Sequence, residues 1–296
     1  MVNKVVSKIR DFFVSVAYIV DFCYSVSRYY FVCLRHLKKP SRFPYKHKDT
    51  SKRLAILANG PSLKELLDDI KNGLDISQWD FSCMNYFGEH ELFTQIKPKY
   101  YCFADPMFFM KDNRYEKVQH LFKILNEKVD WDMTLFIPSC FSKNMFLSFT
   151  GLSNPHCKVE SVRYIRYQGT FLKHWLYKFN FAMPNIPTVA VLNVYSGINL
   201  GYTNIDLYGA DMTFLDSLCV DEHNRLCNKI KHFYDNEPQL KPITMGNNQI
   251  MSVGFYLKDV SGMFYGHYDV SDYSKYIGTH ILNRSKDSLL DCYDRI

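Results

Sequence analysis

The feature that most constrains the fold is a series of short apolar segments, each ended by a turn-forming residue. The first segment is Leu54–Ala58, and Asn59-Gly60-Pro61-Ser62 follows it directly. Residues 63–70 then place apolar side chains at helical spacing, with an acidic residue near the start. A buried strand that passes through a tight turn into a helix is typical of parallel sheets. The segment therefore predicts a strand–turn–helix unit.

The same pattern recurs along residues 54–296. Further strands are predicted at residues 80–84, 100–104, 133–137, 204–208 and 280–282. Helices are predicted over residues 107–129, 189–200, 270–277 and 285–291. Residues 141–186 lack a regular pattern and are expected to form an irregular, aromatic-rich insertion. The sequence thus predicts one α/β domain with a mostly parallel, Rossmann-like sheet and helices on both faces.

Polar residues follow the predicted strands where each strand ends. They are Asn59, Asn85, Asp105, Asp211 and Asn283. Carboxyl ends of parallel strands share one sheet edge, so these residues are expected to line a polar ligand crevice. Gly60 permits a sharp turn or a close approach to a ligand. Ser62 is a candidate cap for the following helix, whose first N–H groups would form an anion site.

Charge is distributed unevenly along the chain. Residues 1–53 contain 12 Lys or Arg and three Asp, whereas the remainder has a formal charge of −3. This pattern disfavours a body that binds nucleic acid and favours a basic arm that meets an anionic surface. No nucleic-acid partner is therefore predicted.

The basic arm contains a run of 23 mostly apolar residues, 12–34, interrupted by Asp21 and Arg28. We interpret it as an amphipathic helix on an anionic membrane surface, with basic flanks on both sides. A helix packed on the body or on a second subunit, and a spanning helix, are the alternatives. Residues 38–52, which include two prolines, are expected to form an exposed linker. Residues 1–53 thus form the predicted arm and linker.

Cysteines and acidic clusters give little support for a metal site. The nine cysteines show no C-x-x-C spacing, which favours buried free thiols in a reducing cytosol. Asp130-Trp131-Asp132 is a D-x-D motif, but it precedes a predicted strand instead of following one. Asp221, Glu222 and His223 are expected to lie in a solvated loop. No metal ligand is predicted.

Several motifs, taken in order, resemble those of the bacterial family 42 sialyltransferases and the related motility-associated-factor and MptE-like proteins. The first is L-A-I-L-A-N-G-P-S-L, which begins at Leu54. The others are C-M-N-Y-F from Cys83, Y-C-F-A-D-P from Tyr101, L-G-Y-T-N-I-D-L-Y-G-A-D from Leu200, K-H-F-Y-D at residues 231–235 and the segment 281–291. The resemblance implies a sialyltransferase variant of the GT-A-like fold.

The resemblance also implies a reaction and its residues. The family transfers a nonulosonic acid from a CMP-activated donor to an acceptor glycan, with inversion and without a metal or other cofactor. On this basis His232 is the candidate general base, Tyr234 a donor to the leaving phosphate, and Asp105 a third catalytic residue. The donor-binding residues implied are Asn59, Gly60, Pro61, Ser62, Asn85, Thr188, Gly209, Ala210, Asp211 and Ser288.

This sequence departs from the family pattern at two places. Asp105 stands where the family has Asn, and Met212-Thr213-Phe214 replaces a tyrosine pair after the G-x-D block. His223 is an alternative base. A Mg²⁺-dependent pyrophosphokinase of the MptE-like type, with Asp105 and Asp211 as metal ligands, is an alternative enzyme. An inactive, membrane-docked scaffold in polysaccharide assembly is the non-enzymatic alternative.

The predicted partners are a nucleotide-sugar donor, a glycan or lipid-linked glycan acceptor, and an anionic membrane surface. The arm would hold the protein on the inner face of the plasma membrane, in the cytoplasm, where lipid-linked acceptors are presented. An oligomer is compatible with the sequence.

Overall fold

The computed structural model describes residues 2–35, 40–46, 53–230, 239–245 and 249–295. The helices are α1 (Val2–Arg35), α2 (Leu63–Lys71), α3 (Phe93–Ile96), α4 (Tyr115–Lys128), α5 (Lys143–Thr150), α6 (Lys173–Lys178), α7 (Val189–Asn199) and α8 (Val253–Ile277). The strands are β1 (Arg53–Leu57), β2 (Trp79–Met84), β3 (Tyr100–Cys102), β4 (Met133–Pro138), β5 (Cys157–Val162), β6 (Asn204–Tyr208), β7 (Leu218–Val220), β8 (Leu226–Ile230), β9 (Gln239–Pro242), β10 (His280–Asn283) and β11 (Asp294–Arg295).

Two sheets organise these elements. The larger has eight strands in the order β11-β10-β6-β1-β2-β3-β4-β5, and every neighbouring pair in it is parallel. The smaller is antiparallel, in the order β7-β8-β9. The predicted α/β class with a mostly parallel sheet is confirmed. Because the middle of the sheet is buried on both faces, its central strands are short continuous apolar runs, which is the pattern found in the sequence.

Successive side chains of β1 point to opposite faces and enter two separate cores. Leu54 and Ile56 pack in the core that contains α7 and part of α8. Ala55 and Leu57 pack in the core that contains α2, α4 and part of α5. The domain is therefore three layers deep, with helices on both faces of the sheet.

Helix α7 lies against the centre of the sheet and runs antiparallel to the strands. A Cβ atom on its Gly197 would lie 2.7 Å from Leu54 Cδ2 and 3.1 Å from Ile205 Cδ1, near the start of β1 and β6. Further back along the helix, Asn193 accepts a hydrogen bond of 2.6 Å from Ser82 in β2. The first residue of α7, Val189, therefore lies at the carboxyl edge of the sheet. The helix is covered on every side, since all its residues from Ala190 to Asn199 are buried, and it is largely apolar.

Residues 141–186 are more regular than the sequence predicts. They form α5, the sheet's edge strand β5 and α6, so the expectation of an irregular insertion is wrong. The reason is physical: β5 pairs with β4 alone and exposes Lys158, so it lacks the continuous apolar run of a central strand. The antiparallel strands β7–β9 have no counterpart among the predicted elements.

Helix boundaries differ from prediction in three places. Residues 107–129 divide into a short 3₁₀ turn, Pro106–Phe108, and helix α4, because Asp112 caps the intervening turn through the N–H of Arg114 at 2.7 Å. Helix α8 begins at Val253 instead of residue 270, and its first turns are largely exposed. Residues 285–291 are not helical. There the Ser288 hydroxyl instead donates to the carbonyl of Ala210 at 2.6 Å.

The predicted helix over residues 12–34 forms part of α1. Its second half contacts the body, where Phe22 packs edge-on against Tyr167 with 5.1 Å between ring centroids. In its first half, Phe12 and Phe13 are exposed. Across the described part of the chain, no helix has the length and apolar character required to cross a bilayer.

Candidate functional site

The order in which the chain adds strands to the sheet reverses between β1 and β6. From β1 the chain proceeds through β2, β3 and β4 to β5, and it then returns through α7 to β6 on the other side of β1. Open α/β sheets bind ligands at the carboxyl ends of the strands beside such a switch point. The five predicted polar residues all follow strands at this edge. They are Asn59 after β1, Asn85 after β2, Asp105 after β3, Asp211 after β6 and Asn283 at the end of β10.

The turn after β1 is locked to the turn after β6. The Gly60 N–H donates to the Gly209 carbonyl at 2.8 Å. A Cβ atom on residue 60 would lie 2.2 Å from Asp211 Oδ2 and 2.4 Å from the Gly209 oxygen. Gly209 itself has φ of +69°, a conformation that favours glycine. Both glycines are therefore required for this close approach, and Asp211 occupies the space beside Gly60.

Asp211 lies over the first residues of α2. Its buried carboxylate accepts a hydrogen bond of 3.0 Å from the Ser62 N–H. The next N–H groups, of Leu63, Lys64 and Glu65, bond to carbonyls in the same turn. The start of α2 thus already holds a carboxylate, and a phosphate there would have to displace it. The predicted donor-binding roles of Asn59 and Gly60 stay predictions.

Serine hydroxyls join the same two turns to the C-terminal segment. Ser62 donates to Ser285 Oγ at 2.9 Å, and the Ala210 N–H donates to the same oxygen at 3.0 Å. Ser288 bonds to Ala210, as described above. The structure therefore brings Gly60, Ser62, Ala210, Asp211 and Ser288 together. Ser285, at the centre of this network, was not predicted; its signal in the sequence is its position two residues after the strand-end Asn283.

Three polar atoms at the edge are buried without a hydrogen-bond partner among the described residues. They are Asn85 Oδ1, Thr188 Oγ1 and Asn283 Nδ2, and the first two are acceptors at the end of β2 and beside the start of α7. Asn85 has φ of +51° and its carbonyl accepts from the Tyr101 hydroxyl at 2.7 Å, so its backbone is fixed while its side-chain oxygen stays unused. Thr188 precedes α7 and makes no side-chain cap. An unpaired buried polar atom costs about 1–3 kcal/mol, which a bound ligand would recover.

Asp105 lies at the end of β3 and is half-buried. Its carboxylate accepts from the Met107 N–H at 3.4 Å, which caps the 3₁₀ turn. The pKa of the nearby Arg114 is raised, mainly by its hydrogen bond with Asp112 and further by the charge of Asp105. Asp105 therefore has a cationic neighbour at this edge.

The predicted catalytic residues His232 and Tyr234 fall at residues 231–238, which lie outside the described residues. In the sequence this segment stands between β8 and β9. Their roles stay predictions.

The two acidic motifs lie in other surroundings. Asp130 pairs with Lys97 at 2.9 Å and Asp132 with His156 at 3.3 Å, both ahead of β4 and so at the opposite edge of the sheet. Asp221 accepts a hydrogen bond from the backbone N–H of Arg225. This bond, together with the Arg225 side chain, lowers the pKa of Asp221 to about 2. Within the described ranges, no three His, Cys, Asp or Glu side chains are grouped to hold a metal ion.

Comparisons with known proteins give one distant likeness. No family model matches the chain, and no curated protein matches it. Among solved structures, the chain is similar to a MAf glycosyltransferase from Magnetospirillum magneticum AMB-1, with a TM-score of 0.47 and 12% identity over 87% of this chain. The matched part is 36% of that chain, so this sequence spans about a third of its length. A likeness of this size is compatible with unrelated functions.

Proposed function

We propose that this protein is a glycosyltransferase that takes a nonulosonic-type sugar from a CMP-activated donor to an acceptor hydroxyl of a cell-surface glycan. The observation that carries the proposal is the pair of unpartnered atoms, Asn85 Oδ1 and Thr188 Oγ1, at the switch-point edge. An amide oxygen and a hydroxyl are suited to the amino and hydroxyl groups of a nucleoside. The ordered set of motifs supports the same reading.

At the start of α7 the Val191 N–H bonds to the Thr188 carbonyl at 3.2 Å. The two N–H groups before it, of Val189 and Ala190, lie at the same edge, at the positive end of the helix dipole. They are suited to the donor phosphate, and hydrogen-bond donors there would stabilise the departing oxygens during transfer. Asp105 would accept from hydroxyl groups of the sugar or ribose. His232 would deprotonate the acceptor hydroxyl and Tyr234 would donate to the leaving phosphate.

The proposal is tested by ligand-dependent thermal stability with CMP, UMP, GDP, and ATP with and without Mg²⁺. Stabilisation by CMP, and by none of the others, is the expected result, since a ligand that binds the folded state raises the melting temperature. Stabilisation by ATP with Mg²⁺ alone would identify the pyrophosphokinase instead. Absence of any shift would favour the scaffold.

A transfer assay tests the chemistry. CMP-linked N-acetylneuraminate is supplied with a panel of glycan acceptors, with and without EDTA. Turnover is expected to survive EDTA and to be lost in His232→Gln. His223→Gln tests the alternative base and should retain turnover if His232 has this role. His156→Gln is the matched control, because His156 is exposed and pairs with Asp132 at the opposite edge of the sheet. Turnover that depends on a divalent cation would contradict the metal-independent mechanism.

The arm has a separate role in the proposal. Phe12 and Phe13 of α1 are 65% and 66% exposed, and Val20, about two turns further along, is 63% exposed. An exposed apolar face with basic flanks is suited to an anionic membrane surface. The arm would hold the catalytic domain at the inner face of the membrane, near lipid-linked acceptors.

A further inference from the structure

A cavity of about 1260 Å³ lies between the arm and the body, further along the carboxyl edge of the sheet. One wall is the second half of α1, from Asp21 to Cys33, together with residues 40–42. The other wall consists of the turn after β4, residues 139–145, and the segment from Val159 to Gln168. Its volume exceeds that of a pocket for a drug-sized ligand, which is roughly 300–1,000 Å³.

The arm wall is fixed in place by a buried arginine. Arg163, 2% exposed, donates from Nε to the Ser41 carbonyl at 2.9 Å. Its guanidinium lies 5.2 Å from the ring of Tyr29 and 5.3 Å from that of Tyr30, both in α1. The Ser41 N–H donates in turn to the Tyr29 hydroxyl at 2.7 Å. Because these contacts attach α1 to the body, the cavity has two defined walls.

Positive charge predominates in this cavity. Of the described lining side chains, the cationic ones are Arg28, Arg42, Lys143 and Arg166, and the acidic ones are Asp21 and Glu160. Glu160 is also paired with Lys158 at 2.6 Å. The cations come from both walls, so an anion between them would contact the arm and the body together. Residues 54–296 as a whole carry a formal charge of −3, so the excess of cations in this cavity differs in sign from the charge of the body.

The remaining lining is mixed: Val32, Met145 and Ile165 are apolar, and other residues are polar or aromatic. Ser139, Asn144 and Gln168 supply hydrogen-bonding groups. Arg166 donates to the Tyr164 hydroxyl at 2.8 Å and lies 5.3 Å from the centre of the same ring. Aromatic faces beside hydroxyl and amide groups are suited to a sugar, which has both an apolar C–H surface and many hydroxyls. A purely apolar ligand would leave these polar groups unpaired.

We propose that this cavity binds an anionic saccharide, an oligosaccharide bearing a phosphate or carboxylate, with Arg28 and Arg166 as its main contacts from the two walls. The cavity opens at the ends of β4 and β5, and β4 is the neighbour of β3, which Asp105 follows. Neighbouring strands are about 4.8 Å apart, so a bound chain would extend towards the proposed donor site. The identification of this saccharide as the acceptor rests on the proposed function. The proposal that the cavity binds an anionic saccharide does not depend on that function.

The test is calorimetric binding, without nucleotide, to the full chain. The probes are a trisaccharide with one phosphomonoester, a trisaccharide with one carboxylate, the same sugars as neutral compounds, and inorganic phosphate alone. The anionic sugars are expected to bind at least tenfold more tightly than the neutral ones. Arg28→Ala with Arg166→Ala should abolish that preference. Arg10→Ala with Lys128→Ala is the matched control, with one exposed cation on the arm and one on the body.

Three results would overturn the proposal. One is equal or no binding of charged and neutral sugars. Another is an anion preference that persists in the Arg28 and Arg166 double variant while its circular dichroism matches that of the control. The third is binding of inorganic phosphate as tight as that of the anionic sugars. If CMP does not raise the melting temperature but the anionic sugars still bind, the proposed function is contradicted and this inference is not.

Discussion

The Ser62 N–H donates to Oδ2 of Asp211 at 3.0 Å, although 149 residues separate them. This bond joins the turn after β1 to the turn after β6, across the switch point of the sheet. The carboxylate takes the place at the start of α2 where a bound anion would be expected. For that reason the proposed donor phosphate is assigned to the start of α7.

Replacing Gly60 with alanine tests this contact. The added Cβ would lie 2.2 Å from Asp211 Oδ2, so one of the two turns must move. We expect a loss of about 3 kcal/mol in the free energy of unfolding, measured by urea denaturation. In Gly254→Ala the new methyl has open space on α8, and a gain of up to about 1 kcal/mol is expected. Equal stability of the two variants would contradict the contact.

Replacing Thr188 with valine separates binding from stability. The hydroxyl makes no hydrogen bond with the described residues, so its removal should leave the free energy of unfolding unchanged or raise it by up to about 1 kcal/mol. Affinity for CMP should fall about tenfold because the ligand loses a hydrogen bond. Calorimetry and denaturation measure the two effects. Ser196→Ala, a buried hydroxyl two turns further along α7, is the control and should bind CMP normally.

Burial of His267 predicts a pH dependence of stability. Its side chain is 1% exposed, its Nδ1 lies 2.9 Å from the Tyr293 hydroxyl, and burial lowers its pKa from 6.5 to about 4. Below pH 6.5 the unfolded chain therefore takes up a proton that the folded chain does not. The contribution of His267 is complete above pH 6.5 and is lost as pH falls towards 4. From pH 7.5 to pH 5 the loss should be about 2 kcal/mol.

The variant His267→Gln should lose this part of the pH dependence. Urea denaturation at several pH values between 4 and 7.5 provides the measurement. His120→Gln, on an exposed surface of α4, should retain the wild-type pH profile. A variant at position 267 with an unchanged profile would show that another group is responsible.

The exposed apolar residues of α1 predict membrane binding. Phe12→Ser with Phe13→Ser should weaken co-sedimentation with vesicles containing anionic phospholipid at least about tenfold, because apolar burial supplies much of the affinity of such helices. Phe255→Ser with Leu257→Ser alters two similarly exposed residues of α8 and should bind as the wild type does. Undiminished sedimentation of the arm variant would mean that α1 does not enter the membrane surface.

Prediction of the site was most successful for glycine and polar residues that come shortly after a predicted strand in the sequence. Gly60, Ser62 and Asp211 stood out because each follows a predicted strand, and the structure places them in contact. Ser285 was missed although it stands two residues after the strand-end Asn283, and the cavity cation Arg166 gave no comparable signal. Arg166 follows β5, an edge strand whose half-exposed residues lack the apolar run that revealed the others.

The sequence by itself determined the local states: where the buried strands lie, where the tight turns interrupt them, and that the chain carries a basic helical arm. Periodicity and turn chemistry act over a few residues, so they can be read directly. The tertiary structure alone decided that β6 lies beside β1, that Asp211 reaches Ser62, and that α1 closes a cavity against β4 and β5. Those outcomes depend on contacts between segments that lie more than a hundred residues apart in the sequence, and no local pattern contains that information.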